Sequence, residues 1–265
     1  MDSNLSSNVR LVQFTDCHLF GDPNGRLRGT VTLDSLQATV AAAQARVGHW
    51  DATLLTGDLV QDDPAGYAHF HAVFAALPQT VYCIPGNHDE PASMRRALAR
   101  APFSHARHAD LGNWRIVLLD SRVAGSAQGA LSDAELAALE EALGTAGERH
   151  VLIALHHHPV VMVSRWLDQV GLTNEAALFA IVDRYPKVRA LVFGHVHQEY
   201  SGERRGVRLY GTPSTCAQFR PRVDHFAIDA KPPAFRTLEL GADGSVMSTL
   251  QWVDPGEALR EAQIA

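Results

Sequence analysis

The feature that most constrains this chain is a repeated junction, in which a short apolar, β-prone run stops abruptly at a cluster of Asp, Asn, His and Gly. LVQFT leads into Asp16-Cys17-His18, ATLLT into Gly57-Asp58, VYCIP into Gly86-Asn87-His88-Asp89, VLIAL into His156-His157-His158-Pro159, and ALVF into Gly194-His195-Val196-His197. In an α/β sheet the carboxyl ends of the strands open into one crevice, where ligands bind. Five independent strand ends thus bring carboxylate, amide and imidazole to one rim.

Each cluster alone has an ordinary structural explanation. Asp16 or Asp58 can cap a loop, the Asn87 turn can be a tight corner, and the three histidines at 156–158 can be an incidental polar strand end. Their joint occurrence is what points to metal ligation. Glycines at 57, 86 and 194 permit the sharp turns that bring ligands close. The donor mixture suits Fe, Mn, Zn or Co better than Mg or Ca, which prefer all-oxygen shells. Cys17 lies between two candidate ligands in an extended segment, so alternation points it to the opposite face.

Expected strands span Leu11–Thr15, Thr53–Thr56, Thr80–Ile84, Arg115–Leu119, Val151–Leu155 and Arg189–Phe193. Helical patterns separate many of them. Leu33, Leu36, Val40, Ala43 and Val47 recur at three- and four-residue steps, the apolar stripe of a helix packed on a sheet. Pro64–Leu77, Pro91–Arg100, Ser132–Leu143 and Asn174–Arg184 read likewise, with Ser132 and Asn174 as N-caps. Beyond residue 198 the pattern becomes a β-meander, with strands expected at Gly206–Tyr210, His225–Ile228, Phe235–Leu240 and Val246–Trp252. Two sheets packed face to face with helices outside follow from this order.

A chain of 265 residues with 46% hydrophobic content can bury roughly 70–75% of its unfolded surface in one core. One domain is expected over residues 1–253, with a fraying tail at 254–265. The net charge of −6 and the lack of a long Lys/Arg run weigh against nucleic acid as partner. No apolar stretch is long enough to span a membrane, and the N-terminus lacks a signal-like apolar core. Three cysteines at long spacings, with no CxxC pair, fit a reducing cytoplasm. Oligomeric state is not legible.

The five blocks DxH, GD, GNHD, HHHP and GHVH, in this order, resemble the calcineurin-like metallophosphoesterase superfamily. The further segments FTDCHLF, GDLVQDD, LHHHPV, WLDQVGLTN, GHVHQE, GTPSTCAQF and FRTLEL look like its bacterial class III 3′,5′-cyclic AMP phosphodiesterases of the CpdA type. The resemblance implies a four-layer α/β/β/α sandwich of two mixed sheets around two metal ions. It implies that Asp16, His18 and His197 hold one ion, that Asn87, His156 and His195 hold the other, and that Asp58 bridges them. His157 is the alternative to His156. It also implies a cyclic nucleotide substrate, hydrolysed to 5′-AMP by in-line attack of a metal-bridging hydroxide, with His18, Asn87, His88 and His197 meeting the substrate.

His88 directly follows Asn87 and is expected to protonate the leaving ribose oxygen as general acid, with Asp89 either orienting it or capping the turn. The Gly211–Cys216 segment supplies hydroxyls for substrate or forms a plain turn. Arg26, Arg28, Arg220 and Arg222 either steer an anion or are ordinary solvated cations. A broad phosphoesterase for 2′,3′-cyclic nucleotides or glycerophosphodiesters, and a non-catalytic metal or nucleotide sensor, are the competing functions.

Overall fold

The computed structural model describes residues 8–254. Two six-stranded mixed sheets dominate it. The first has the order Val246–Trp252, Ala234–Leu240, Val9–Phe14, Ala52–Thr56, Thr80–Ile84, Phe103–Ser104. The second runs Tyr200–Arg204, Val207–Gly211, Val188–Phe193, His150–Leu155, Trp114–Leu118, His108–Leu111. The inner strands of each sheet are parallel, and antiparallel pairings lie toward the edges.

Period-two alternation divides each inner strand between two cores. Val9 and Leu11 join Ile116, Leu118, Leu152, Ala154, Ala190 and Val192 between the sheets. Val12 and Phe14 turn outward under the helices Thr32–Val47 and Gly66–Phe74. On the far side Val117, Val151, Ile153 and Leu191 pack under Asp133–Gly144 and Glu175–Val182. Helix, sheet, sheet, helix is therefore the layer order, a four-layer α/β/β/α sandwich of two mixed sheets.

The expected inner strands are present with boundaries moved by a residue or two. Ser132 caps its helix as expected, accepting from Glu135 N. Asn174 occupies an N-cap position without capping, because its amide is taken by Leu131, donating to that residue's carbonyl and accepting from its N–H. The C-terminal third is not one meander. Its two long hairpins go to different sheets, Tyr200–Arg204/Val207–Gly211 to the second and Ala234–Leu240/Val246–Trp252 to the first. The strand expected at His225–Ile228 reduces to Ile228–Asp229, paired with Gln218–Phe219. The tail expected to fray lies outside the described residues, Asp254 excepted.

One ion pair anchors a helix to the second sheet. Arg115 is buried and donates through Nε and a terminal guanidinium nitrogen to both oxygens of Asp110, at 2.7 and 2.9 Å. Its other terminal nitrogen reaches Ala142 O and Thr145 Oγ1 at the end of Asp133–Gly144. The bond from Arg115 holds the Asp110 carboxyl below its usual range. A depressed carboxyl stabilises the fold above the unfolded pKa and ceases to do so as pH falls through the folded one. Asp110→Asn should therefore cost about 1–3 kcal/mol at pH 7 by leaving a buried cation short of acceptors. The gap in Tm between wild type and variant, measured by calorimetry, should narrow below about pH 4.

Candidate metal centre

All five junctions converge at the carboxyl ends of the parallel strands, along the seam between the sheets. The first sheet contributes Asp16, His18, Asp58 and Asn87, and the second His156, His195 and His197. Among the described residues ten non-glycine positions have positive φ, and Asp16, His18, Asp58, His195 and His197 are five of them. Asp and His tolerate this region better than most residues, yet such conformations cost about 1–3 kcal/mol and persist where the surroundings enforce them. Here they turn both members of Asp16/His18 and of His195/His197 toward one point. Gly57, at φ 95°, and Gly194 allow this closeness, since a Cβ would strike the His156 ring at the former and Thr15 and Asp16 at the latter.

The atoms that meet are nearly all acceptors. His197 gives Nδ1 to Ala217 O at 2.6 Å, which leaves its Nε2 as a lone pair 3.0 Å from His18 Nε2 and 3.2 Å from Asp16 Oδ1. His156 likewise gives Nδ1 to Thr56 O at 2.7 Å. Its Nε2 faces Asp58 Oδ2 and Asn87 Oδ1, each at 3.3 Å, and His195 Nδ1 at 3.2 Å. Asp58 Oδ2 also lies 3.8 Å from His18 Nε2, so this one oxygen serves both groups. Its other oxygen is held by the N–H of His88. Thr15 Oγ1 and the N–H of His195 hold Asp16. Lone pairs facing lone pairs repel unless protons or cations lie between them, and imidazole and carboxylate together suit a transition metal. The residues present therefore fit a pair of ions.

The electrostatics show carboxylates and imidazoles compensating one another across the cluster, with a proton on His156 taking the place of a cation beside Asp58. Burial pushes Asp16 and Asp58 up, but His197 beside the former and His156 beside the latter overcome it and hold both carboxyls below their usual range. Burial drives His156 down, and Asp58 reverses this and lifts it to about 9. Burial, only partly offset by Asp58, takes His18 down to about 4. His195 is driven low by burial and by the neighbouring His157 and His156.

His157 joins only His156 and His195, with its Nδ1 against Ser121 Oγ at 2.8 Å, whereas His156 reaches Asp58 and Asn87. His88 is partly exposed beside the cluster, its ring centroid 5.2 Å from that of His18. Its orienting partner is Asp62, which accepts from Nδ1 at 2.8 Å. Asp89 instead staples the turn, accepting from Leu59 N, Gly86 N and Tyr67 Oη, and burial together with Asp58 lifts it to about 6. Asp62 was missed by sequence reasoning, and its only signal was the acidic run in GDLVQDD.

The hydroxyls of the 211–216 segment mostly serve the fold. Thr212 donates to Gln13 Oε1, Ser214 donates to Asp16 O, and both residues are fully buried. Cys17 packs in the core under the first helix layer, away from the ligand groups, as alternation required. Arg26 donates to Gly29 O, and Arg28 lies over the Phe226 ring, 4.7 Å from Cζ to centroid. Arg220 and Arg222 lie on the 218–229 hairpin, Arg222 with a positive φ.

A fold of this kind with such a centre defines a phosphoesterase. The family model for calcineurin-like phosphoesterases matches residues 9–199, and the chain belongs to that family, whose members use a dinuclear metal centre. Among curated relatives, a 3′,5′-cyclic adenosine monophosphate phosphodiesterase CpdA from Escherichia coli (strain K12) is 42% identical over 91% of this chain and 88% of its own. The protein of the same name from Vibrio vulnificus is 39% identical over 97% of this chain and 95% of its own. A dimetal phosphatase from Danio rerio shares the fold at a TM-score of 0.60 and 14% identity, over 93% of this chain and 99% of that one.

Gly194→Ala tests the crowding at the seam. The added methyl collides with Thr15 and Asp16. Overpacking of this sort costs about 1–3 kcal/mol. Calorimetry of chelated protein should show that loss, and metal analysis should show weaker retention of both ions.

Proposed function

We propose that this protein hydrolyses 3′,5′-cyclic AMP to 5′-AMP at a dinuclear centre, with residues 1–253 acting as one domain in the reducing cytoplasm. The observation that carries the reading is the double set of acceptors sharing Asp58, found in a chain about two-fifths identical to proteins named for this activity. Asp16, His18 and His197 would hold one ion and Asn87, His156 and His195 the other, with Asp58, whose Oδ2 lies 3.8 Å from His18 Nε2 and 3.3 Å from His156 Nε2, available to both. Imidazole-rich donor sets of this kind suit Fe, Mn, Zn or Co. The bound pair supplies an activated water and positive charge against the phosphoryl oxygens.

The chain's own groups do the rest. Asn87, His18 and His197 line the place where the phosphate sits and fix its orientation. His88 holds a proton on the ring nitrogen opposite Nδ1, while Asp62 fixes the ring from the other side. As the bond between phosphorus and the ribose 3′ oxygen breaks, that proton passes to the oxygen, and water restores it afterwards. The buried free thiols fit the cytoplasm, and no helix among the described residues is long and apolar enough to cross a membrane.

The test is a substrate panel of 3′,5′-cAMP, 3′,5′-cGMP, 2′,3′-cAMP and bis(4-nitrophenyl) phosphate with metal-replete protein. Turnover of 3′,5′-cAMP that chelation abolishes and metal restores is expected. Efficient cleavage of the other diesters with 3′,5′-cAMP left intact would replace this reading with a broad phosphoesterase. Asp58→Ala should lower metal content and kcat together, because it removes the group common to both ions. His88→Ala should retain metal, lose about 10²–10⁴-fold in kcat on 3′,5′-cAMP, and lose less on the aryl diester, whose leaving group needs little protonation.

A further inference from the structure

Next to the centre, three loops outside the ligand set assemble an aromatic ledge. Phe219 stacks flat on the His197 ring, with centroids 4.0 Å apart and planes 6° from parallel. Phe219 also meets Trp166 and Phe226, each at 5.2 Å, and the last two meet at 5.1 Å, closing a triangle of rings. Phe226 projects from the hairpin that joins Gln218–Phe219 to Ile228–Asp229, and it is 41% exposed, unusual for a large aromatic with packing available. Trp166 comes from the short helix Arg165–Asp168, tied to the hairpin by Arg165–Asp224 and by the Val223 N–H donating to Ser164 Oγ. Over Phe226 lies the Arg28 guanidinium, at the tip of the hairpin Arg26–Leu27/Thr30–Val31.

We infer that this ledge is the nucleobase site, with the base of the cyclic nucleotide stacking on the Phe226 ring and the flexible Arg28 guanidinium, now seated 4.7 Å over that ring, lifting to cover the base's other face. The inference rests on the function proposed above and adds its recognition element. Phe226 is two ring contacts from His197, and a cyclic nucleotide holds its base a similar short span from its phosphate. Base–aromatic stacking supplies affinity with little base discrimination, because every base has a π face, and an arginine plane stacks on the opposite side. The ledge therefore selects nucleotides over other diesters while separating adenine from guanine only weakly. It also gives the exposed phenylalanine and its covering cation a shared purpose.

The deciding comparison sets 3′,5′-cAMP against ribose 3′,5′-cyclic phosphate lacking a base. Phe226→Leu keeps apolar bulk but loses the π face, so KM for cAMP should rise roughly 5- to 100-fold with kcat nearly unchanged. KM for the base-free compound should not move, and the ratio of the cAMP and cGMP KM values should change little. Phe226→Trp should restore the cAMP KM. Arg28→Ala should raise it by about 2- to 5-fold, as expected for an exposed cation–π contact. Unchanged cAMP KM in Phe226→Leu, or equal loss on both compounds, overturns the inference. Calorimetric binding of 5′-AMP gives a readout without turnover. If cAMP is not hydrolysed but 5′-AMP binding still depends on Phe226, the proposed reaction fails and the ledge stands. If 5′-AMP binds both proteins equally, the ledge fails.

Discussion

The site depends on the lateral registration of two sheets that share no strand, because each sheet supplies only part of the ligand set. Apolar packing between them is non-directional and would tolerate some slip. A buried polar chain at the seam does not. Gln13 of the first sheet donates to Thr56 Oγ1 and to Phe193 O of the second, and accepts from Thr212. Arg236 donates to Thr212 Oγ1, Gly211 O and Ser248 Oγ, and lies over the Tyr210 ring. Sliding one sheet along the other would strand several of these groups without partners, at about 1–3 kcal/mol each. The network therefore fixes register where the ligands emerge, which apolar contacts alone would leave loose.

The strained backbone at the ligand positions is the counterpart of that rigidity. His195 N–H holds the carboxylate of Asp16, and His88 N–H holds that of Asp58. Two of the five junctions thus orient the ligand of another. The loops form one mutually braced unit, and a left-handed residue in one is enforced by hydrogen bonds from its neighbours. Side chains held this way need little rearrangement to receive a cation, which is what preorganisation means at a catalytic site.

Much of this was legible in the sequence because the ligands directly follow strong apolar runs, where a strand end locates a side chain in space. Alternation alone placed Cys17 away from the ligands. What escaped reading depended on contacts distant in sequence or on polar segments without periodicity. Tyr200–Arg204 forms a strand, yet its sequence YSGER carries no apolar alternation, and only its pairing with Val207–Gly211 makes it one. Asn174 looked like a cap because its type and place were right, but Leu131 claims the amide. Adjacency in sequence points to Asp89 alone as the partner of His88, whereas the fold makes Asp89 the staple and gives the ring contact to the more distant Asp62.

The three cysteines carry a separate consequence. All are free and buried, and burial raises each thiol, with Cys216 pushed up to about 12. Only the thiolate attacks alkylating and disulfide reagents, so in the native protein these sulfurs are chemically silent. Cys216 Sγ approaches Asp16 O, and Cys17 is the next residue along, so two of the three flank the ligand loops. Their first reaction with a thiol reagent therefore times the opening of the ligand loops, and Cys83 separately times the release of the strand Thr80–Ile84. The unmodified chain carries its own clock for the loss of its active architecture.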